Sequence, residues 1–191
     1  MISLDIRIPT QHIAFDIDGV CADTVGLFID ITANEFGMTS FSHADVTQYS
    51  FFETMDITPD EINQIIDQII NGHYTQRLYP IYDTFRVLNR FRHPILFVTA
   101  RTTADAIEKW ISHFLCTDHF EVIATGSPDR KKEILHARGV RYFVEDRIQT
   151  CYELSEEGIM PILFAQPWNR MVHPFLEVSS WQEFSYLLDV A

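Results

Sequence analysis

The stretch His12-Ile13-Ala14-Phe15-Asp16-Ile17-Asp18-Gly19-Val20 decides how this chain is read. Its first four residues form a short apolar run of strand type, and two acids and a glycine follow at once. A turn there would present both carboxylates beyond the strand's end. Working outward, five more short runs rich in β-branched and aromatic residues recur: Ile95 to Thr99, Glu121 to Ala124, Tyr142 to Val144, Pro161 to Phe164 and Leu176 to Val178. Segments of helical period separate them, which is the pattern of βα units around a parallel sheet. Near-continuous apolar runs suit strands covered on both faces.

The helices carry legible start signals. Thr102 or Thr103 is expected to cap a segment with Ile107, Trp110, Ile111 and Phe114 on one face. Ser127-Pro128-Asp129 opens another that runs to Gly139, and Ser180 to Glu183 has the spacing of a capping box for the last. About seventy residues between the first and second strands break the alternation and read as wholly helical. One helix is expected over 24–36, ended by Gly37. A capping box at Thr58-Pro59-Asp60-Glu61 opens a second with Ile62, Ile65, Ile66, Ile69 and Ile70 on one side, and a third runs from Tyr82 to Phe91. The spacing predicts a core domain of residues 1–23 and 92–191, with residues 24–91 forming a small helical cap over the sheet's carboxyl edge, where open α/β folds bind ligands.

Composition narrows the function classes. The 191 residues carry 27 acidic against 14 basic side chains, a formal charge of −13. That balance disfavours a partner held through a broad phosphate backbone, and no basic stripe suits a nucleic-acid polymer. Cys21, Cys116 and Cys151 are odd in number and show no CxxC spacing, which suggests half-buried free thiols in a reducing compartment. No basic-then-apolar leader opens the sequence, and the longest apolar run, 159–165, is far short of the ~20 residues that span a bilayer. The expectation is a soluble cytoplasmic protein with no membrane partner. Its oligomeric state stays open, a homodimer included.

Seven glycines at 19, 26, 37, 72, 126, 139 and 158 allow neither GxGxxG nor a Walker loop, and GxSxG and HExxH are absent. What remains is chemistry at strand ends. Asp16 and Asp18 follow the first strand. Thr99-Ala100-Arg101 closes the second, offering a hydroxyl and the backbone amides after it. Adjacent Lys131 and Lys132 fall in the first turns of the helix after the third, and Glu145-Asp146 ends the fourth. Each has an ordinary structural explanation: turn, helix cap, solvated lysine, N-terminal helix charge. Four such sites in this order are better explained by one shared task.

With these four motifs in order, the chain resembles the haloacid dehalogenase superfamily of phosphohydrolases. It is most similar to the cytosolic type C 5′(3′)-deoxyribonucleotidase family, through Asp16-Ile-Asp-Gly-Val20, Thr99-Ala-Arg101, the Lys131 to Asp146 interval and Gln166-Pro-Trp-Asn-Arg170. The resemblance implies a Rossmann-like parallel sheet with helices on both faces. It also favours Lys131 over Lys132 by its distance to Glu145-Asp146.

The chemistry of the groups agrees. A carboxylate attacks a phosphate monoester only when the phosphate oxygens are neutralised, which Mg²⁺, Thr99 with the Ala100 amide, and Lys131 together would do. Asp16, the main-chain carbonyl of Asp18, and Asp146 would suffice to hold Mg²⁺, with Glu145 as a further acid beside it. Asp16 then acts as nucleophile to give an aspartyl phosphate. Asp18, crowded by a second carboxylate, is expected to have a raised pKa and to serve as acid and then base. The expected substrate is a (deoxy)nucleoside monophosphate, its base stacked on insertion aromatics, Phe28 and Phe51 foremost among Phe28, Tyr49, Phe51 and Phe52. The alternatives are a sugar or other small metabolite phosphate and, outside catalysis, a phosphate-binding module that keeps the fold.

Overall fold

The computed structural model describes residues 7–39, 41–47 and 58–189. In chain order the elements are β1 (Ile8–Pro9), β2 (Ile13–Phe15), α1 (Thr24–Phe36), α2 (Pro59–Ile70), α3 (Thr84–Leu88), β3 (Ile95–Thr99), α4 (Asp105–Ser112), β4 (Phe120–Ala124), α5 (Lys131–Ala137), β5 (Tyr142–Glu145), α6 (Ile148–Glu156), β6 (Met160–Phe164), β7 (Leu176–Val178), α7 (Trp181–Ser185) and β8 (Leu188–Asp189). Six strands make one parallel sheet in the order β4-β3-β2-β5-β6-β7, and β1 pairs with β8 beside it. The order reverses at β2, which has β3 on one side and β5 on the other. Such a reversal opens a crevice at the carboxyl ends of the strands.

Strand alternation explains the layering. Phe15, Phe97, Val144 and Ile162 join one buried cluster with Ile107 and Trp110 of α4 and Trp181 and Phe184 of α7. Their neighbours Ala14, Val98 and Phe143 face the other way, onto Leu135 of α5 and Leu154 of α6. Helices therefore cover both faces of the sheet. Trp181 is wholly buried, lies 5.5 Å from Phe15 and 5.3 Å from Phe184 by ring centroids, and donates its indole N–H to Val20 O at 2.8 Å.

Between β2 and β3 the regular elements among the described residues are helices, as the sequence predicts, apart from isolated bridges at Ala22. α1 ends where Gly37 takes φ +70°, and Thr58 and Glu61 form the expected capping box on α2. On α2, Ile62, Ile65 and Ile69 are buried while Ile66 and Ile70 are half-buried. The two ends of the insertion meet in a short antiparallel pairing. Asp23 N donates to Tyr79 O, Ile81 N to Cys21 O, both at 2.9 Å, and Ala22 bridges to Pro80. Beyond this neck, Phe85 of α3 packs on Trp110 of α4, at 5.5 Å between ring centroids.

Three local expectations need correction. The helix expected from Tyr82 to Phe91 is only α3, because Asp83 takes a left-handed φ of 67° that helical backbone excludes. Neither Thr102 nor Thr103 caps α4. That helix starts at Asp105 behind Ala104, and Thr102 instead donates to Asn71 Oδ1 at 2.7 Å. At α7, Ser180 accepts from Glu183 N as a cap should, but the Glu183 carboxylate reaches one residue further back, to the Ser179 amide and hydroxyl. The thiols differ too: Cys21 and Cys151 are buried and Cys116 is exposed, all three unpaired.

Because Trp181 fills the space between the sheet and α7 and ties Val20 to it, Trp181→Ala should cost about 3–5 kcal/mol. Tyr186→Ala, at a side chain 68% exposed, should change stability by about 0.5 kcal/mol or less. Urea denaturation of the two variants checks the difference.

Candidate active site

Register brings the strand ends level. Phe15 pairs with Phe97 on one side and Val144 on the other, and Thr99 pairs with Ala124. Asp16, Ala100 and the residues after β5 therefore leave the sheet at one edge. Past Asp16 the chain folds into a tight turn in which Ile17 O accepts from the amides of Cys21 and Ala22 at 2.8 and 2.9 Å. Gly19 is required there twice over. Its φ is +74°, and a Cβ would stand 2.3 Å from Asp146 Oδ2. The turn aims Asp18 back into the crevice, where its carboxylate accepts from Thr24 Oγ1 at 2.5 Å and from Arg101 Nε and Nη2 at 2.9 and 2.6 Å.

Asp16 lies deeper. Its Oδ1 accepts from the Ile17 amide at 2.8 Å, and Lys131 Nζ stands 2.8 Å from its Oδ2. The same ammonium lies 2.8 Å from Glu145 Oε2, while Glu145 Oε1 accepts from the amides of Asp146 and Arg147. Lys131 is 2% exposed, whereas Lys132 pairs with Glu157 at the surface, so geometry separates the two adjacent lysines. Asp146 has no cation of its own: its Oδ2 accepts from Trp168 Nε1 at 2.9 Å.

The late Gln166-Pro-Trp-Asn segment thus belongs to the crevice. Gln166 Nε2 donates to Gly19 O at 2.6 Å, and Asn169 Nδ2 donates to Asp146 O at 2.7 Å. One loop holds the turns carrying Asp18 and Asp146 together. Sequence reading noted this segment but gave its residues no role, and it left Arg101 and Thr24 unassigned. Hydrogen bonds between distant loops leave no periodicity to find.

Asp16, Asp18, Thr99, Ala100, Lys131, Glu145 and Asp146 all line one cavity of about 250 Å³. Its other wall is largely apolar, with Val25, Phe28, Val46, Ile66, Ile70 and Trp168. Phe28 is buried within that wall. Tyr49, Phe51 and Phe52 lie outside the described residues.

Burial, reinforced by the charge of Glu145, pushes the Asp16 carboxyl well above its usual range despite Lys131. Burial with the charges of Glu145 and Asp16 does the same to Asp146. Burial alone would also raise Glu145, but Lys131 and the two amides outweigh it and hold Glu145 low. The expected raising of Asp18 is overturned: burial would raise it, yet the charge and hydrogen bonds of Arg101, with the Thr24 hydroxyl, keep it below the ordinary value. Arg101, not the neighbouring carboxylate, dominates its surroundings.

The described residues contain one group of acids able to hold a metal, Asp16, Glu145 and Asp146, with candidate ligand atoms within 4.8 Å of one another. It is all oxygen, which suits a hard cation such as Mg²⁺ rather than a thiolate-seeking one. Two of its three acids are strained toward protonation, so the cluster holds more negative charge than Lys131 offsets. Glu145 has both oxygens engaged, which leaves Asp16 and Asp146 as the better ligands.

Residues 10–191 match the protein family described as 5′ nucleotidase, deoxy (pyrimidine), cytosolic type C. A protein described as a nucleotidase from Clostridium acetobutylicum is 26% identical over 93% of both chains. Among solved structures, a haloacid dehalogenase-like hydrolase from Streptococcus pneumoniae aligns over 84% of this chain and 85% of its own, with TM-score 0.54 and 18% identity. A haloacid dehalogenase-superfamily hydrolase of subfamily IA from Geobacter sulfurreducens aligns over 94% and 95%, with TM-score 0.54 and 16% identity. These two structures share the fold with this chain.

The pKa directions fix the sign of the pH dependence without metal. The raised Asp146 keeps a proton that the unfolded chain has already released, so its share of stability falls as pH rises from about 4 through its folded value. The lowered Glu145 acts oppositely: its stabilisation is present above about pH 4.3 and is lost as pH falls. Asp146→Asn keeps an acceptor for Trp168 and removes the charge. In chelator-treated protein it should melt above the wild type at pH 7.5, with the gap closing toward pH 4. Lys131→Met should cost about 3–5 kcal/mol at pH 7.5. Calorimetric melts across that range test both, and an Asp146→Asn protein less stable than wild type at pH 7.5 contradicts the account.

Proposed function

The chain belongs to the cytosolic type C 5′ nucleotidase family, and from that premise we propose that it is a Mg²⁺-dependent phosphomonoesterase acting on (deoxy)nucleoside monophosphates through an aspartyl-phosphate intermediate. The observation that carries the reading is the convergence of Asp16, Asp18, Thr99, Lys131 and Asp146 on one cavity. Asp16, Asp146 and the main-chain carbonyl of Asp18 are the residues that would hold Mg²⁺. Bound there, the cation supplies neutralisation of the phosphate oxygens and alignment of the ester.

The chain's own groups account for the remaining steps. Thr99, the Ala100 amide and Lys131 bind the phosphoryl oxygens, with Lys131 already placed beside Asp16 by its ion pair. The Asp16 carboxylate, oriented by the Ile17 amide, attacks phosphorus, and the ester oxygen leaves with a proton from Asp18, whose carboxyl the negative charge of the bound phosphate would raise against the pull of Arg101. A water then gives its proton to Asp18 and its oxygen to the phosphoryl group, releasing inorganic phosphate and regenerating Asp16. Asp18 fits this role by place: its side chain is 29% exposed to the cavity, against 8% for Asp16 and 0% for Glu145.

Within the insertion expected over 24–91, the part between the paired segments of the neck, residues 24–78, would act as the cap that excludes water, turning at that neck. Its apolar wall favours a planar base over a hydrated sugar, since stacking a base on an aromatic ring is worth about 1–3 kcal/mol. A cytoplasmic setting is part of the same proposal. No described helix is long and apolar enough to cross a membrane.

Hydrolysis of nucleoside monophosphates should require Mg²⁺ and vanish in Asp16→Asn, because an amide neither attacks phosphorus nor holds the cation. Phe28→Ala should lower kcat/KM on nucleotides by about tenfold and leave p-nitrophenyl phosphate little changed. A phosphate-release assay over a panel of monoesters measures both. Turnover by Asp16→Asn sinks the mechanism, and preference for hexose or polyol phosphates over every nucleotide sinks the substrate assignment alone.

A further inference from the structure

Arg101 is a cationic side chain of the cavity, and its contacts among the described residues join the two walls. Its side chain is 1% exposed. Nε and Nη2 grip the Asp18 carboxylate in a bidentate fork. Nη1 points the other way and donates to Ile70 O at 2.7 Å and Ile69 O at 3.3 Å, the last carbonyls of α2. α2 carries no basic residue in its last turn. The cation its carbonyl end favours comes from the loop after β3 instead, from a residue 31 and 32 positions away. Asp18 meets the insertion a second time through Thr24, the first residue of α1.

We infer that Arg101 is a positioning residue that couples closure of the helical insertion to the orientation of Asp18. With α2 over the cleft, Ile69 and Ile70 fix one edge of the guanidinium, and its opposite edge then fixes the rotamer of Asp18. When α2 lifts away, Nη1 loses its acceptors, and Thr24 moves with α1. Asp18 then loses both partners that hold it, so an open site lacks an aligned Asp18 carboxyl. A planar fork is needed for this, and lysine, a single point charge, cannot span both acceptors. The inference rests on the phosphatase reading above.

The test compares wild type, Arg101→Lys and Thr102→Val. Thr102 joins the same two segments through Asn71 and touches neither Asp18 nor the cleft. Proton donation matters most for a poor leaving group. Arg101→Lys should therefore lose at least about tenfold in kcat on a nucleoside monophosphate and less than about threefold on p-nitrophenyl phosphate, with KM moving much less. Thr102→Val should change both substrates by the same factor. Amide exchange gives a readout independent of turnover: the backbone amides of Asn71 and Gly72, closing the end of α2, should exchange at least about tenfold faster in Arg101→Lys. Equal losses on both substrates, a gain in rate, or unchanged exchange at 71 and 72 overturns the inference. Absence of hydrolysis by the wild type overturns the phosphatase reading instead, and the exchange arm still decides whether Arg101 holds the insertion.

Discussion

A buried ammonium shared by two carboxylates is the constraint around which the site is arranged. Lys131 stands 2.8 Å from both Asp16 and Glu145, and none of the three could be buried at acceptable cost without the others. The triad joins the first turn of α5 to the ends of β2 and β5, so it sets the spacing of the strand ends as well as their charge. The price is a third acid. Asp146 sits against the same cluster with an indole N–H and no cation, and Glu145 is engaged through both of its oxygens. Among the described buried groups, an acid without a cation is left over beside Asp16, facing the cavity.

Much of this was legible in the chain. The apolar runs gave the six sheet strands to within one or two residues, because strands buried on both faces have few residue types to choose from. Acids at two strand ends, a Thr at another and a lysine after a third marked the site, since few side chains can carry phosphate chemistry. Capping at Thr58 and the stop at Gly37 were readable as local backbone chemistry. The cap expected from Thr102 was not, because its hydroxyl is drawn to Asn71 just past the end of α2. Asp18 was misjudged for a related reason. The neighbour visible in sequence is Asp16, two residues away, but its field comes from Arg101, 83 residues away. Sequence shows which charges exist and rarely which of them meet.

The charges that do meet bear on how so acidic a chain would take the proposed anion. At −13, its distant field opposes a phosphate, but beyond about 8 Å that field is screened at physiological salt. Among the described residues four acids line the cavity with Arg101, Lys131 and Arg147, one acid more than there are cations. In the proposed reading, a divalent cation held by Asp16 and Asp146 would reverse that balance. Affinity for phosphate would then be conditional on metal, and it would be local. It would serve one phosphoryl group, because Arg101 is paired with Asp18 and the end of α2. The flanking phosphates of a polymer would reach past the screened interior to an acidic surface, whereas the proposed mononucleotide would bring a single phosphate to the cavity and could lay its base against Phe28 and its neighbours.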